Sequence, residues 1–303
     1  MNHLEQLALT AEDLGCKVIR KEPMSRHTTF KIGGPADLFI TVSSRAEIQK
    51  LYRAAAELEV PLMPIGNGSN MLVSDGGIRG AVVALDGEFR EIRQNPDGTV
   101  SCGAGASLAG VCVFAREHSL TGLEFAWGIP GAAGGAAFMN AGAYNKEMKS
   151  VLLSCTHVTK EGKIGTLSGE ALQLGYRRSA YTDNGYTILE LRLDLKPGDQ
   201  DEISAEMDDL YSRRKSKQPL ELPSAGSVFK RPEGHFAGTL IESCGLKGRT
   251  VGGAMVSPKH AGFIVNTGTA TCRDVTELIK IIQNTVYQQT KVSLECEVKT
   301  IGS

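Results

Sequence analysis

The sequence predicts an α+β protein in two parts, and three observations carry that reading. Helical apolar periodicity and short strand-like apolar runs mix from residue 38 to about 196. A polar, turn-rich break follows at Lys196-Pro197-Gly198-Asp199-Gln200. Beyond the break come two more helical patterns and a closing strand pattern. The expected division is therefore 1–198, with a core of about 29–196, and 199–303.

The elements follow in order. Ser44-x-x-Glu47 has the form of a capping box, opening a helix with Ile48, Leu51, Ala55 and Leu58 on one face and Pro61 ending it. Leu62 to Ile65 reads as a short buried strand running into Gly66. Gly80–Leu85 and Thr99–Cys102 read as further strands. Ser107–His118 reads as a helix with Leu108, Val111, Cys112 and Ala115 inward, and Thr187–Leu195 as a strong strand. After the break, Ile203–Lys215 is a helix with Met207, Leu210 and Tyr211 as its apolar stripe. Arg273–Gln289 is another, built on Val275, Leu278, Ile279, Ile282 and Val286, and Val292–Ile301 closes the chain as a strand.

Composition excludes several classes. The 303 residues are 41% hydrophobic and 22% charged, enough for a sizeable core. With 33 basic against 34 acidic residues the net charge is -1, so no global field draws the chain to nucleic acid or anionic lipid, and any anion site must be local. The start lacks a basic segment followed by an apolar core, so no signal peptide is expected. The long uncharged run Phe125–Asn145 is broken by Pro130 and several glycines, which argues against a membrane span. The 7 cysteines form no C-x-x-C pair and read as reduced, mostly buried thiols of a cytoplasmic protein. The 6 histidines show no ligand spacing, so no metal site is expected.

The 35 glycines cluster in the first half, where they form loops. In Pro64-Ile65-Gly66-Asn67-Gly68-Ser69-Asn70 a buried strand runs into small and amide residues. Such a loop can turn several main-chain N–H groups toward one anion, although an ordinary tight turn has the same composition. Gly103-Ala104-Gly105 is a second loop. Gly128-Ile129-Pro130-Gly131-Ala132-Ala133-Gly134-Gly135, followed by Asn140-Ala141-Gly142-Ala143-Tyr144, is a third. Together they suggest main chain wrapped closely around a large cofactor. Gly103-x-Gly105-x-x-Leu108 lacks the third glycine of a Rossmann turn and no P-loop pattern occurs, so a dinucleotide would be held by another design.

Pro64–Leu72 and Gly128–Tyr144 resemble the FAD-binding segments of the UDP-N-acetylenolpyruvoylglucosamine reductase family. Thr28–Ala36 resembles its opening motif, and the likeness continues through Tyr176-Arg177, Gly226–Lys230 and Glu295–Lys299. The resemblance implies a two-part FAD-binding domain of the vanillyl-alcohol-oxidase type and a C-terminal α+β substrate-binding domain, with the active site in the crevice between them. It implies FAD, with NADPH as reductant, a UDP-sugar as substrate, and no nucleic-acid or membrane partner. Gly66 to Asn70 contains no His or Cys, so the FAD is expected to be non-covalent. Only nine residues separate Arg177 from Thr187, which resembles the shorter subclass without a tyrosine-bearing insertion.

The resemblance assigns catalysis to Arg177, Ser227 and Glu297. Arg177 would hold the substrate carboxylate bidentately. Ser227 would donate the proton, and Glu297 would stand beside the forming carbanion. Read without the resemblance, Arg177 is a surface cation, Ser227 a turn residue, and Glu297 part of the solvated face of an alternating strand. FAD would be met at Gly66, Asn67, Gly68, Ser69, Asn70, Gly103, Gly105, Gly128, Ile129, Gly131, Gly134, Asn140 and Gly142. The substrate would be met at Tyr176, Lys217, Lys259 and His260. A flavin oxidase passing electrons to oxygen and a UDP-sugar-binding protein without turnover are the rival readings. The Arg177–Ser227–Glu297 set, suited to reducing a double bond, speaks against the first.

Overall fold

Apolar stripes and caps dictate the helices. In the computed structural model, which describes residues 2–302, they are His3–Asp13 (α1), Arg45–Glu57 (α2), Leu108–Glu117 (α3), Ala133–Phe138 (α4), Tyr181–Asn184 (α5), Gln200–Lys217 (α6), Ala237–Ser243 (α7) and Cys272–Thr290 (α8). The chain forms two compact units that do not follow chain order. The first comprises residues up to Arg20, Leu38–Asn67 and Gly80–Ser212. The second comprises Lys21–Asp37, Gly68–Arg79 and the residues from Arg213 onward.

The first unit holds two layers. Leu62–Ile65 pairs parallel to Ile78–Leu85 within a four-stranded sheet that also contains Lys17–Pro23 and Pro35–Val42. Leu7, Ala8, Ile48, Leu51 and Tyr52 of α1 and α2 join Leu38, Ile40, Val42, Ala81 and Val83 of this sheet in one core. The other layer is a five-stranded antiparallel sheet, ordered Ile164–Ser168, Leu152–Val158, Thr187–Leu193, Val100–Gly103 and Ile92–Gln94. Val111 and Cys112 of α3, Ala133 and Ala137 of α4, and Ile203 and Met207 of α6 share a second core with Cys102, Cys155 and Leu191.

The second unit is built on an antiparallel sheet ordered Ser224–Ser227, Phe263–Asn266, Ala254–Val256 and Thr250–Val251. Val275, Leu278 and Ile282 of α8 pack with Val228, Ile241, Ile264, Phe30 and Leu72. The final strand, Lys299–Ile301, pairs parallel to Met71–Val73. The start of α8 is capped twice: Thr271 and Asp274 form a reciprocal capping box, and the Asp75 carboxylate accepts from the N–H groups of Cys272 and Arg273 at 2.8 and 3.0 Å.

Several local expectations need correction. The closing strand is Lys299–Ile301, not Val292–Ile301. Before it, the chain keeps Leu294 and Val298 buried and forms an isolated β-bridge, Phe229 to Cys296, in place of a regular strand. Helix α2 ends at Glu57, ahead of Pro61, because Glu59 turns left-handed at φ 53°. Its Ser44 cap is as expected, but the Glu47 carboxylate reaches the N–H of Ser43 rather than of Ser44, so the reciprocal box is not formed. Tyr211 is 39% exposed, and Ile203 takes the inward place beside Met207 and Leu210. The third glycine loop contains α4, which takes in Gly134 and Gly135. Gly142-Ala143 begins a small hairpin with Lys146-Glu147, turned by Tyr144 and Asn145, both at positive φ as tight hairpin turns require.

All seven cysteines are free and five are buried. Burial pushes the Cys16 thiol up to about 11, and Cys102 and Cys112 up to about 12. Among the described residues no helix is long and apolar enough to cross a membrane.

Candidate active site

Arg177 sits at the tip of a tight turn in the first unit. Gly175 and Arg178 exchange both main-chain hydrogen bonds, at 3.1 and 3.2 Å, leaving Tyr176 and Arg177 as the two turn residues. Arg177 has φ 56°, a left-handed conformation that costs a non-glycine residue about 1–2 kcal/mol. Its Nη2 donates to the carbonyl of Gly142 at 3.3 Å, and its guanidinium lies 4.9 Å from the centre of the Tyr176 ring. Tyr176 itself is 50% exposed. Gly142 has to be glycine there, since a Cβ would meet the Lys146 carbonyl at 2.6 Å. Between Arg177 and the next strand, the short α5 buries Tyr181, whose hydroxyl donates to the Cys155 carbonyl.

Gly66 and the other two glycine loops converge within the same unit. A Cβ at Gly66 would lie 3.0 Å from Ala132 Cβ, and one at Gly134 would lie 2.7 Å from Ala104 Cβ. The N–H groups of Ala133 and Gly134 donate to the carbonyls of Ala106 and Ala104. Gly66 and Asn67 are exposed, and Gly128 and Gly131 adopt positive φ, so main chain rather than side chain forms the surface there. That surface fits a cofactor needing close main-chain approach.

The second loop has another explanation. Gly103 N–H donates to Glu91 O and Gly105 N–H to Phe89 O, while a Cβ on Gly103 would clash with the Phe89 main chain and one on Gly105 with the Leu85 carbonyl. Like Gly134, these residues have committed their N–H groups within the protein. Close packing accounts for their being glycine. Asn140 is fully buried, with both ends of its amide engaged by main chain. Ile129 N–H is likewise taken by Ala126 O.

In the second unit Ser227 ends a strand that bulges after Ser224, with Gly226 at φ 74°. The Thr29 hydroxyl of the opening motif donates to the Ser224 carbonyl at 2.7 Å, tying that motif to this strand. Glu297 N–H donates to Val228 O at 2.8 Å, which places Glu297 alongside the residue after Ser227. Asn70 holds the same segment: its Nδ2 donates to Glu297 O at 3.2 Å and its carbonyl accepts from Lys299. Gly68, at φ 59°, fits against the His27 carbonyl where a Cβ would clash, and Ser69 is half-buried beside it. Glu295 differs from Glu297: its side chain is 73% exposed and pairs with Lys230.

Lys217 is exposed on the last turn of α6. Lys259 reaches the same helix end, where its Nζ donates to the Lys215 carbonyl at 2.8 Å and pairs with Glu221 at 3.6 Å. This satisfies one of the orphan carbonyls of a helix C-terminus. His260 Nδ1 accepts from the Gly262 N–H at 3.1 Å, and burial lowers its pKa. The ring is therefore neutral, with its proton on Nε2.

A cavity of about 560 Å³ on the outer face of the five-stranded sheet contains none of these residues. Its charged walls pair with one another, Arg93 with Glu190 and Arg192 with Asp97. Ser179, buried behind the Arg177 turn, was not legible as a site residue: a lone serine after two arginines carries no pattern.

Residues 36–168 match the FAD binding domain family, and residues 218–301 match the C-terminal domain of UDP-N-acetylenolpyruvoylglucosamine reductase. The fold is that of an FAD-binding domain joined to a C-terminal α+β domain, and the class is a flavin-dependent oxidoreductase. A UDP-N-acetylenolpyruvoylglucosamine reductase of Agathobacter rectalis is 48% identical over 296 residues, covering 94% of each chain. One from Clostridium botulinum is 46% identical, covering 100% of this chain and 99% of its own. The crystal structure of the Thermus caldophilus reductase superposes with a TM-score of 0.81 at 35% identity, over 94% of this chain and 98% of that one. The chain belongs to the UDP-N-acetylenolpyruvoylglucosamine reductase family.

Proposed function

We propose that this protein reduces UDP-N-acetylglucosamine enolpyruvate to UDP-N-acetylmuramate, a cytoplasmic step of peptidoglycan precursor synthesis, with NADPH as reductant and FAD held non-covalently. The observation that carries the reading is the meeting of Glu297 with the Ser227–Val228 segment, far apart in sequence, in a chain of this family. A forming carbanion requires a proton donor, and a carboxyl group held protonated beside it stabilises it by hydrogen bonding.

Bound FAD supplies the hydride relay between nicotinamide and substrate. The exposed main chain at Gly66 and Asn67 and the turns at Gly68, Ser69, Gly128, Ile129 and Gly131 would hold it. Hydride delivery to the terminal enolpyruvyl carbon leaves negative charge on the neighbouring carbon and its carboxylate. Arg177 binds that carboxylate and stabilises the charge as it grows. Ser227 delivers a proton to the carbanionic carbon. Glu297, with its main chain fixed by Val228 and Asn70, supports the same centre. Lys217, at an end of α6 that Lys259 also reaches, meets the substrate diphosphate, with Tyr176 and His260 as further substrate contacts.

The test is NADPH oxidation under anaerobic conditions with and without UDP-N-acetylglucosamine enolpyruvate, with the product weighed by mass spectrometry. The expected result is substrate-dependent oxidation and a product two hydrogens heavier. Oxidation that needs oxygen and ignores the substrate would overturn the reading. Flavin that stays on the polypeptide after denaturation would overturn its non-covalent part.

A further inference from the structure

Arg177 holds an unfavourable backbone conformation, and something must maintain it. Two buried polar side chains attach its turn to the end of α4 and the residues that follow it. Asn140 Nδ2 donates to the Gly175 carbonyl at 3.0 Å, while its Oδ1 accepts from Lys149 N–H at 2.8 Å. Ser179 Oγ donates to the Phe138 carbonyl at 2.8 Å. Both residues are 0% exposed, so neither bond competes with water. One grips the turn just before Tyr176-Arg177 and the other just after Arg178. The same segment, through Gly142, supplies the carbonyl that receives the Arg177 guanidinium. Main chain and side chain of Arg177 are thus referenced to one short stretch, Phe138 to Gly142.

We propose that Asn140 and Ser179 are positioning residues that lock the left-handed Arg177 turn and aim its guanidinium. The proposal rests on the role given to Arg177 above. Loosening either clamp lets the turn relax toward ordinary backbone angles, which swings the guanidinium away from its aimed position. Displacement of about an ångström at a reacting centre costs up to about 10²-fold in rate.

Asn140→Asp tests this with a built-in signature. Its protonated carboxyl can still donate to the Gly175 carbonyl, whereas the ionised form repels it. Burial raises a carboxyl pKa, so the switch falls at higher pH than for a free aspartate. Two rates are followed by rapid-mixing absorbance at the flavin band: reduction by NADPH and reoxidation by the enolpyruvyl substrate. The ratio of reoxidation to reduction should fall with rising pH by about tenfold to a hundredfold relative to the parent protein. Ser179→Ala should lower the same ratio without the pH dependence, and it serves alone if Asn140→Asp does not fold. Arg177→Ala separates the two ideas. If it leaves reoxidation intact, the role of Arg177 is wrong. If it abolishes reoxidation while neither clamp variant moves the ratio, the positioning proposal is wrong.

Discussion

At the scale of single residues the chemistry divides between two hydrogen transfers with different needs. Flavin reduction by NADPH is a hydride transfer and asks nothing of a hydroxyl. Reduction of the enolpyruvyl group leaves a carbon that has to be protonated. General acid catalysis contributes about 10²- to 10⁴-fold, so Ser227→Ala should slow reoxidation by substrate by that factor while flavin reduction keeps its rate. Normal reoxidation would reduce Ser227 to a turn residue. Lys217 is exposed and makes a different case. A charge-assisted phosphate contact contributes about 1.5–3 kcal/mol. Lys217→Ala should therefore raise the substrate dissociation constant about tenfold or more, read by titration against flavin absorbance. An unchanged constant removes Lys217 from the diphosphate.

At the scale of elements, α8 shows how end chemistry stabilises a helix whose apolar stripe alone does not fix where it starts. Thr271 accepts from Asp274 N–H at 3.1 Å, Asp274 accepts from Thr271 N–H at 2.9 Å, and Asp75 takes the next two free donors. Removing the cap with Thr271→Ala should cost about 1 kcal/mol, measured as a lower denaturant midpoint with the slope unchanged. No loss of stability would mean that Asp75 carries the cap by itself. The apolar stripe from Val275 to Val286 was legible in the sequence, whereas the Thr271–Asp274 cap was found in the structure. The Asp75 contribution was not legible either, because it comes from a distant segment of the chain.

At the scale of the molecule, two histidines, the buried His157 and the half-buried His260, tie stability to pH. Tyr181 donates its hydroxyl proton to Cys155 O, so His157 Nδ1 at 3.1 Å is the donor to the tyrosine oxygen. Tyr186 stacks on it at 4.8 Å, and a Cβ on Gly165 would intrude to 2.6 Å from its Nε2. Burial lowers the pKa of His157, and burial first of all lowers that of His260, from the ordinary 6.5. The folded state therefore resists protons that the unfolded chain accepts. Stability from this source is complete above about pH 6.5 and is lost as pH falls through the lowered values. Thermal unfolding should shift to lower temperature between pH 7.5 and 5.5, with a shallower slope for His157→Gln. An equal slope in the variant would exclude His157 as a source.

The sequence by itself determined the α+β class, four of the eight helices of the described residues to within a few residues, and the glycine-rich main chain, because periodicity, caps and small residues are local properties. The family motifs likewise named Arg177, Ser227 and Glu297 without any coordinates. Only the tertiary structure decided what each glycine is for: Gly103 and Gly105 make room for Phe89 and Leu85, while Gly66 stays exposed. It alone grouped Lys21–Asp37 and Gly68–Arg79 with the C-terminal residues, through pairing of Met71–Val73 with Lys299–Ile301. It alone revealed Asn140 and Ser179 behind the Arg177 turn. Hydrogen bonds between segments distant in sequence leave no periodicity in the chain, so a buried clamp and an ordinary polar residue look alike until the backbone is folded.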